Sequence, residues 1–442
     1  MALLVLLQGF NPLPNYVVAN YLLMSDQRLF NEPVNEILMF YSEKNLENVR
    51  STKAFADHVR TEIEQLKPGQ VKISLRSLAN INDGPTIRHD IKQGVEAALG
   101  SHGHVHLSYS GGTKSASVHS YKAIETLCNE SNVRFTTSYL DDRRHLLYWD
   151  EIKAGVSAER PVSLYDKVQM TMDRFLALHG YENCSKNNDP SPEGSESENS
   201  LRDRMLELWK NRREQYRTIQ KAIKEIFYST REYPTGVKKF QENADRVKSD
   251  IDWNALEPVV GYLPTLQSIR DGTHRAALTG KVLKADRPNV RCICGIWFED
   301  YVRRQIYRDA EKPDPTGGPS WVLNMPDTFG QSLVAKRTGQ KEFELDVYLI
   351  VGYQLIGVSV TTEDDRSLCK NKGFEVIHRT RQIGGEGRMA FLVTMLCDAN
   401  RDSLQQELRS DSDISERFQV FGESDLDTIG AKIVLAVKTY GG

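Results

Sequence analysis

Between Ala2 and Tyr139 short apolar runs alternate with amphipathic stretches: Ala2–Leu7, Ile37–Tyr41, Val71–Leu75, His104–Tyr109 and Val133–Tyr139 have strand character, and residues 15–24, 45–66, 86–99 and 113–128 recur at helical spacing. Strands and helices in strict alternation, joined by short connections, leave few options. They predict a mainly parallel sheet with helices on both faces, and in such folds a ligand sits outside the carboxyl ends of the strands. The loops at Gln8–Asn11, Asn80–Thr86 and Ser110–Lys114 all leave carboxyl ends, so they are expected to converge on one rim.

Within that rim the run Leu107-Ser108-Tyr109-Ser110-Gly111-Gly112-Thr113-Lys114 is the most informative. A strand stops at two glycines and a helix starts. Glycine admits close backbone approach, the first N–H groups of the helix point outward, and Thr113 and Lys114 add a hydroxyl and a cation, so the turn suits a phosphate-bearing ligand. It is not a P-loop, because Thr113 separates Gly112 from Lys114 and no glycine stands at the required distance upstream; the Gly-x-Gly-x-x-Gly fingerprint is absent too. A bland alternative stays open at this point: a tight strand-to-helix connection and nothing more.

The 442 residues exceed one ordinary core and point to two or three units. A net charge of −3 provides no global basic field, so any nucleic-acid site must be local. The six cysteines are scattered, with only Cys292 and Cys294 close together, which excludes a zinc set and reads as reduced thiols. Met1–Leu7 is too short to span a bilayer and lacks a preceding positive charge, which predicts a first strand of a cytoplasmic protein without a membrane partner. Strand 145–149 closes the first unit near residue 160. Residues 162–179 read as helix, 183–199 as a disordered linker with little to bury, and 201–229 as one charged helix whose Arg and Lys residues form a solvated face. A third unit follows from about residue 285: a helix over 297–306, a hairpin of 342–350 and 355–361, a helix over 367–382 ending at Gly384-Gly385, and a strand over 389–395.

The combination resembles the CRISPR-associated Rossmann-fold (CARF) nucleases that carry a carboxy-terminal PD-(D/E)xK restriction-endonuclease-like domain. The resemblance rests on Gln8–Asn15 after the first strand, Gly111-Gly112-Thr113-Lys114 after a later one, and Gly295-x-Trp297-x-Glu299-x-x-Val302 with Glu344-Leu345-Asp346 in the last third. It implies an α/β fold: a Rossmann-like sensor over 1–160, a helical and partly disordered connector over 161–284, and a nuclease-like α/β domain over 285–442. It further implies a homodimeric sensor for a cyclic oligoadenylate, with cyclic tetra-adenylate the expected ring, and a nuclease cutting DNA or RNA with Mn2+ or Mg2+. Gly9, Phe10, Asn11, Ser110, Gly111, Gly112, Thr113 and Lys114 become ligand contacts; Asp346 and Glu299 become metal ligands.

Where the family motif has Glu-x-Lys, this chain has Ser359-Val360-Thr361. Two readings follow. In one, the charges have moved to the next helix, where Lys372, Glu375, Arg379 and Gln382 share a face; Asp346, Lys372 and Glu375 are then catalytic, and Lys370 points over Phe374 and Ile377 instead. In the other, the site is dead and the domain only binds nucleic acid or a partner. Asp346 inside an apolar hairpin favours the first, because a buried charge is costly without a function or a partner. Glu363-Asp364-Asp365 is a further source of carboxylate that reads as an exposed loop. A nucleotide enzyme built on the first unit alone is a third, weaker possibility.

Overall fold

The structure is a computed structural model that describes all residues except 25–31, 44–50, 101, 152–160, 186–195, 229–236, 278, 313–326, 413, 415 and 442. The chain runs β1 (Ala2–Leu7), α1 (Leu13–Met24), β2 (Val34–Ser42), α2 (Lys53–Leu66), β3 (Lys72–Leu78), α3 (Gly84–Leu99), β4 (His104–Ser108), α4 (Lys114–Glu130), β5 (Arg134–Asp141), β6 (Leu146–Glu151) and β7 (Val162–Ser163). These strands form one sheet in the order β3-β2-β1-β4-β5-β6-β7, parallel from β3 to β5 and antiparallel beyond. β1 is buried along its whole length. Leu3, Val5 and Leu7 enter the core under α3 and α4, while Ala2, Leu4 and Leu6 enter the core that α1 and α2 cover. A central strand covered on both faces reads as a continuous apolar run for that reason.

The second half holds α5 (Met172–Leu178), β8 (Glu182–Asn183), α6 (Glu196–Asn211), α7 (Arg213–Phe227), α8 (Val237–Val247), α9 (Trp253–Val260), α10 (Pro264–Arg270), α11 (His274–Ala277), α12 (Gly280–Arg291), α13 (Trp297–Ala310), β9 (Phe329–Lys336), β10 (Phe343–Val351), β11 (Gln354–Val360), α14 (Arg366–Gly384), β12 (Met389–Val393), α15 (Asp398–Ser412), β13 (Phe418–Phe421) and α16 (Ile429–Gly441). Its sheet runs β13-β12-β11-β10-β9-β8, with β8 to β11 antiparallel and β11, β12 and β13 parallel. One apolar core extends from Leu201 on α6 through Trp297 on α13 to Val437 on α16, so the helices after residue 196 share their packing with this sheet.

The mixed α/β architecture with a parallel sheet and a second sheet matches the sequence reading, with local corrections. Helix over 162–179 shrinks to α5: Val162 pairs with Leu147 as strand, the Met170 amide donates to the Gly352 carbonyl, and Thr171 caps a helix that starts only at Met172. The apolar spacing there serves burial between the two halves of the molecule. The long charged helix breaks at Arg212, whose φ of −145° and ψ of 55° are not helical. The expected disordered segment 183–199 is ordered at both ends, where Asn183 pairs with Ala335 and α6 begins at Glu196; its middle, 186–195, lies outside the described residues. Helix over 45–66 begins at Lys53, because the Thr52 hydroxyl turns inward and donates to the Gln8 carbonyl; residues 44–50 lie outside the described set. β9, β13, α15 and α16 have no counterpart in the sequence reading.

Candidate functional site

The strand order of the first sheet reverses between β1 and β4, since β2 and β3 lie to one side and β5 to the other. At such a switch point the two flanking loops diverge and leave a crevice. Here those loops are Gln8–Pro12 and Tyr109–Thr113. They touch through glycine: a Cβ on Gly9 would stand 3.0 Å from the Gly112 nitrogen, and one on Gly111 would stand 2.1 Å from the Leu7 carbonyl oxygen. Gly112 has φ +78°, the left-handed region that other residues enter at a cost. The turn is therefore a built structure.

Behind it lies a frame that sequence reasoning missed. The Asn15 amide donates to the Leu7 carbonyl and to Gln8 Oε1, both at 2.9 Å; Gln8 Nε2 donates to the Gly9 carbonyl at 2.7 Å; and Thr52 ties the Gln8 carbonyl to Ser42. Asn15 is fully buried and its Oδ1 has no hydrogen-bond partner. Polar residues inside an otherwise apolar helix start were the available signal.

The loop residues divide by role. Thr113 caps α4, its Oγ1 accepting from the Ala116 amide at 3.1 Å. Ser110 Oγ accepts from the Leu140 amide at 2.7 Å, which makes it a brace to β5. Asn11 Oδ1 accepts from the Leu13 amide at the start of α1. Phe10 is 56% exposed and meets Phe55 edge-on. Gly112, Thr113 and Lys114 are exposed. The first turn of α4 holds no acidic residue and has Lys114 at its start. A cation at the positive end of a helix opposes the helix dipole, and an anion bound between them relieves that conflict.

The second cluster lies beside the end of β11. Asp346 Oδ2 accepts from the Ser359 hydroxyl at 2.8 Å and from the Val360 amide at 2.7 Å. Ser359, standing where the Glu-x-Lys motif would supply its glutamate, thus props the first carboxylate. On β9, between the partners of Leu345 and Val347, Ser332 has φ +51°, a local departure from the ladder next to Asp346. Burial pushes the Asp346 carboxyl above the ordinary aspartate range, against the pull of Lys372 and the two hydrogen bonds. Glu299, in the first turn of α13, is pushed well above the glutamate range by burial and by the charges of Asp346 and Glu344, and its Oε2 is buried without a hydrogen-bond partner. Its neighbour Asp300 differs completely: Arg202, Arg303 and Arg304 surround it at 3.7, 2.8 and 2.6 Å. Asp300 is a matched structural acid; Glu299 has only the charges of Arg291 and Lys372 to oppose its burial.

Lys372 joins this group from α14. Desolvation works against its ammonium, but the charges of Asp346, Glu375, Glu299 and Glu344 outweigh it and raise its pKa. Its ion pair with Glu375 is loose, at 3.7 Å. Lys370 points away over the Phe374 ring and pairs with Glu407 and Asp411 on α15. The residues singled out from sequence, Glu299, Asp346, Lys372 and Glu375, thus share one electrostatic neighbourhood. Among the described residues no three His, Cys, Asp or Glu side chains converge as a metal cage. Two carboxylates, one with an orphaned oxygen, still fit a hard divalent ion that keeps most of its waters, as Mg2+ commonly does.

α14 also connects the two sites. Lys372 lies in its second turn, and about 20 Å further along the axis Gly385 ends the helix against the Asn11 side chain; a Cβ there would stand 2.4 Å from Asn11 Nδ2. The glycine-turn rim and the acidic cluster are therefore two ends of one rigid element.

No family model matches the chain, and no curated protein matches its sequence. Two solved structures share its fold over the full length. Protein VC1899 from Vibrio cholerae superposes with a TM-score of 0.62 at 13% identity, covering 100% of this chain and 99% of that one. Can2 from Sulfobacillus thermosulfidooxidans, solved in complex with cyclic tetra-adenylate, gives 0.56 at 14% identity and covers both chains completely. At these identities the likeness shows the fold.

Proposed function

We propose that the chain is a nuclease switched on by a cyclic oligoadenylate, with cyclic tetra-adenylate as its ligand. The observation that carries this is α14, which sets Lys372 among Asp346, Glu299 and Glu375 and ends at Asn11 on the β1–α1 loop that packs against the glycine turn. Support for the ligand comes from the strand-order reversal at the β1–β4 switch point, the acid-free start of α4 with Lys114, and the same fold in a protein solved with that ring. A ring of phosphates needs facing anion sites, and a two-fold axis supplies the same turn twice, so the working unit is a homodimer.

In the second half, Glu299 and Asp346 would hold Mn2+ or Mg2+, which supplies Lewis-acid stabilisation of charge on a phosphodiester. The chain's own contribution is positional. Ser359 and the Val360 amide fix one oxygen of Asp346. Lys372, kept protonated by four carboxylates, offsets the negative charge that develops on the non-bridging oxygens, and does so better in a partly dried cleft than water would. The rival reading, a sensor with an inert nuclease-like domain, draws on Asp346 Oδ2 being already satisfied within the hairpin.

Thermal melting with and without ligand tests the sensor. At about a hundred times its Kd, cyclic tetra-adenylate stabilises the folded state by about 2.7 kcal/mol, and Lys114→Ala removes most of that gain while leaving the unliganded melting temperature in place. A melting curve unmoved by any cyclic oligoadenylate, or moved equally in the variant, overturns the sensor reading.

A further inference from the structure

Between α7 and the rim of the second sheet lies a cleft of about 490 Å³. One wall is α7, which presents Arg213, Arg217, Lys221 and Lys224 at intervals of one turn. The other wall is the carboxyl rim of the parallel strands: Thr362, Glu363 and Asp364 follow β11, Met395 follows β12 and Glu423 follows β13. Three ion pairs cross from wall to wall: Arg213 to Glu423, Arg217 to Asp364 at 3.0 Å, and Lys224 to Glu363 at 2.9 Å. Lys221 is exposed and has no ion-pair partner among the described residues. The basic face that sequence pattern assigned to solvent thus lines an enclosure.

We propose that this cleft is the track of a single-stranded polynucleotide, whose phosphates displace Glu363, Asp364 and Glu423 from the α7 cations. Resting on the nuclease reading, this names where its substrate lies. Successive cations on α7 stand about 4.5–6 Å apart along the helix axis, a repeat that suits successive phosphates of an extended strand, and exposed ion pairs of this kind are weak enough to be exchanged. The position also fits. Gln220 on α7 donates to the Ile293 carbonyl and to the Thr362 hydroxyl, while Val360, two residues before Thr362, holds Asp346. A strand laid along α7 therefore runs past the acidic cluster. Its contacts are cations to phosphates, which position without reading sequence. In the absence of a strand the three acids occupy the cations and keep the cleft closed to weaker anions.

The experiment measures anisotropy of fluorescein-labelled single-stranded DNA and RNA homopolymers on the full chain in EDTA, so that cleavage plays no part, with and without cyclic tetra-adenylate and across a salt series. Arg217→Gln combined with Lys221→Gln weakens binding by about tenfold or more at low salt and flattens the log–log salt slope by about 1.4, roughly 0.7 for each phosphate that is no longer neutralised. Glu363→Gln combined with Asp364→Asn tightens binding. Retention of the ligand-induced melting shift shows that each variant is folded. Equal affinity and slope in the Arg217/Lys221 variant, no oligonucleotide binding by the unaltered chain at low salt, or equally tight binding of a poly-glutamate peptide overturns the proposal. Binding through the cleft with no cleavage under any condition leaves this track standing and removes the nuclease reading; cleavage unchanged in the Arg217/Lys221 variant does the reverse.

Discussion

The glycine turn at the β1–β4 switch point and the acidic cluster beside β11 use opposite physics. At the turn the protein's polar groups are matched internally except for the buried Asn15 Oδ1: Asn15, Gln8 and Thr52 hold the loop, Ser110 is tied to β5, and Thr113 caps α4. What stays open is backbone and one lysine, with no acid in the first turn of α4. At the cluster the groups are mismatched. Glu299, Glu344 and Asp346 repel one another, the charges of Arg291 and Lys372 offset this only in part, and Glu299 Oε2 has no hydrogen-bond partner. A preorganised cradle costs little to keep, whereas crowded like charges cost stability in the resting protein. The molecule thus stores its conflict in the acidic cluster and not at the glycine turn.

The comparison is broken most severely by removing the charges that give the cluster its purpose. Asp346→Ala and Lys372→Ala are each expected to lower Mn2+-dependent cleavage by two orders of magnitude or more, with the ligand-induced melting shift intact; Lys370→Ala retains cleavage because its ammonium belongs to Glu407 and Asp411. Single-turnover assays on labelled strands check all three. Equal cleavage by Lys372→Ala moves the cation elsewhere.

Next in size is Gly111→Ala. Its Cβ would stand 2.1 Å from the Leu7 carbonyl oxygen, so the two loops must part, at a cost of about 1–3 kcal/mol and with loss of ligand binding. Melting temperature and ligand shift fall together; a variant that melts and binds as before shows that the rim is not built as described.

The smallest effect sharpens the contrast. Because the Glu299 pKa is raised on folding, its proton is held more tightly in the folded state, and the stability this contributes is full below the unfolded glutamate pKa of about 4.3 and lost as pH rises through the elevated folded value. Glu299→Gln keeps the shape and removes that loss, so it melts a few degrees higher than the unaltered chain at neutral pH, and the gap closes toward acid. Mn2+ stabilises the unaltered chain and not the variant. A gap independent of pH, or lower stability of Glu299→Gln at neutral pH, contradicts the claim that Glu299 sits unmatched.

Much of this was legible in sequence where the determinants are local. The alternating runs of the first sheet, the Gly111-Gly112 stop and the helical spacing of Lys372 with Glu375 all depend on neighbours within a few residues. Lys370 fell over Phe374 for the same reason. The misses are non-local. Residues 162–170 have the apolar spacing of a helix, yet their partners are β6 and the turn at Gly352. Asn15 stands out as a polar residue in an apolar helix start, but nothing near it or Thr52 in the sequence announces that the two meet at the Gln8 loop. The basic face of α7 reads as solvated because the acids opposite it arrive from residues 363, 364 and 423.

One cleavage assay tests ligand-gated nuclease activity. The 442-residue chain is incubated with single-stranded DNA and with single-stranded RNA, in each combination of cyclic tetra-adenylate and Mn2+ present or absent. The account predicts cleavage of at least one strand type when both are present and little or none when either is missing. Intact strands in every combination, from protein whose melting temperature the ring demonstrably raises, contradict it and leave a sensor with an inert partner domain.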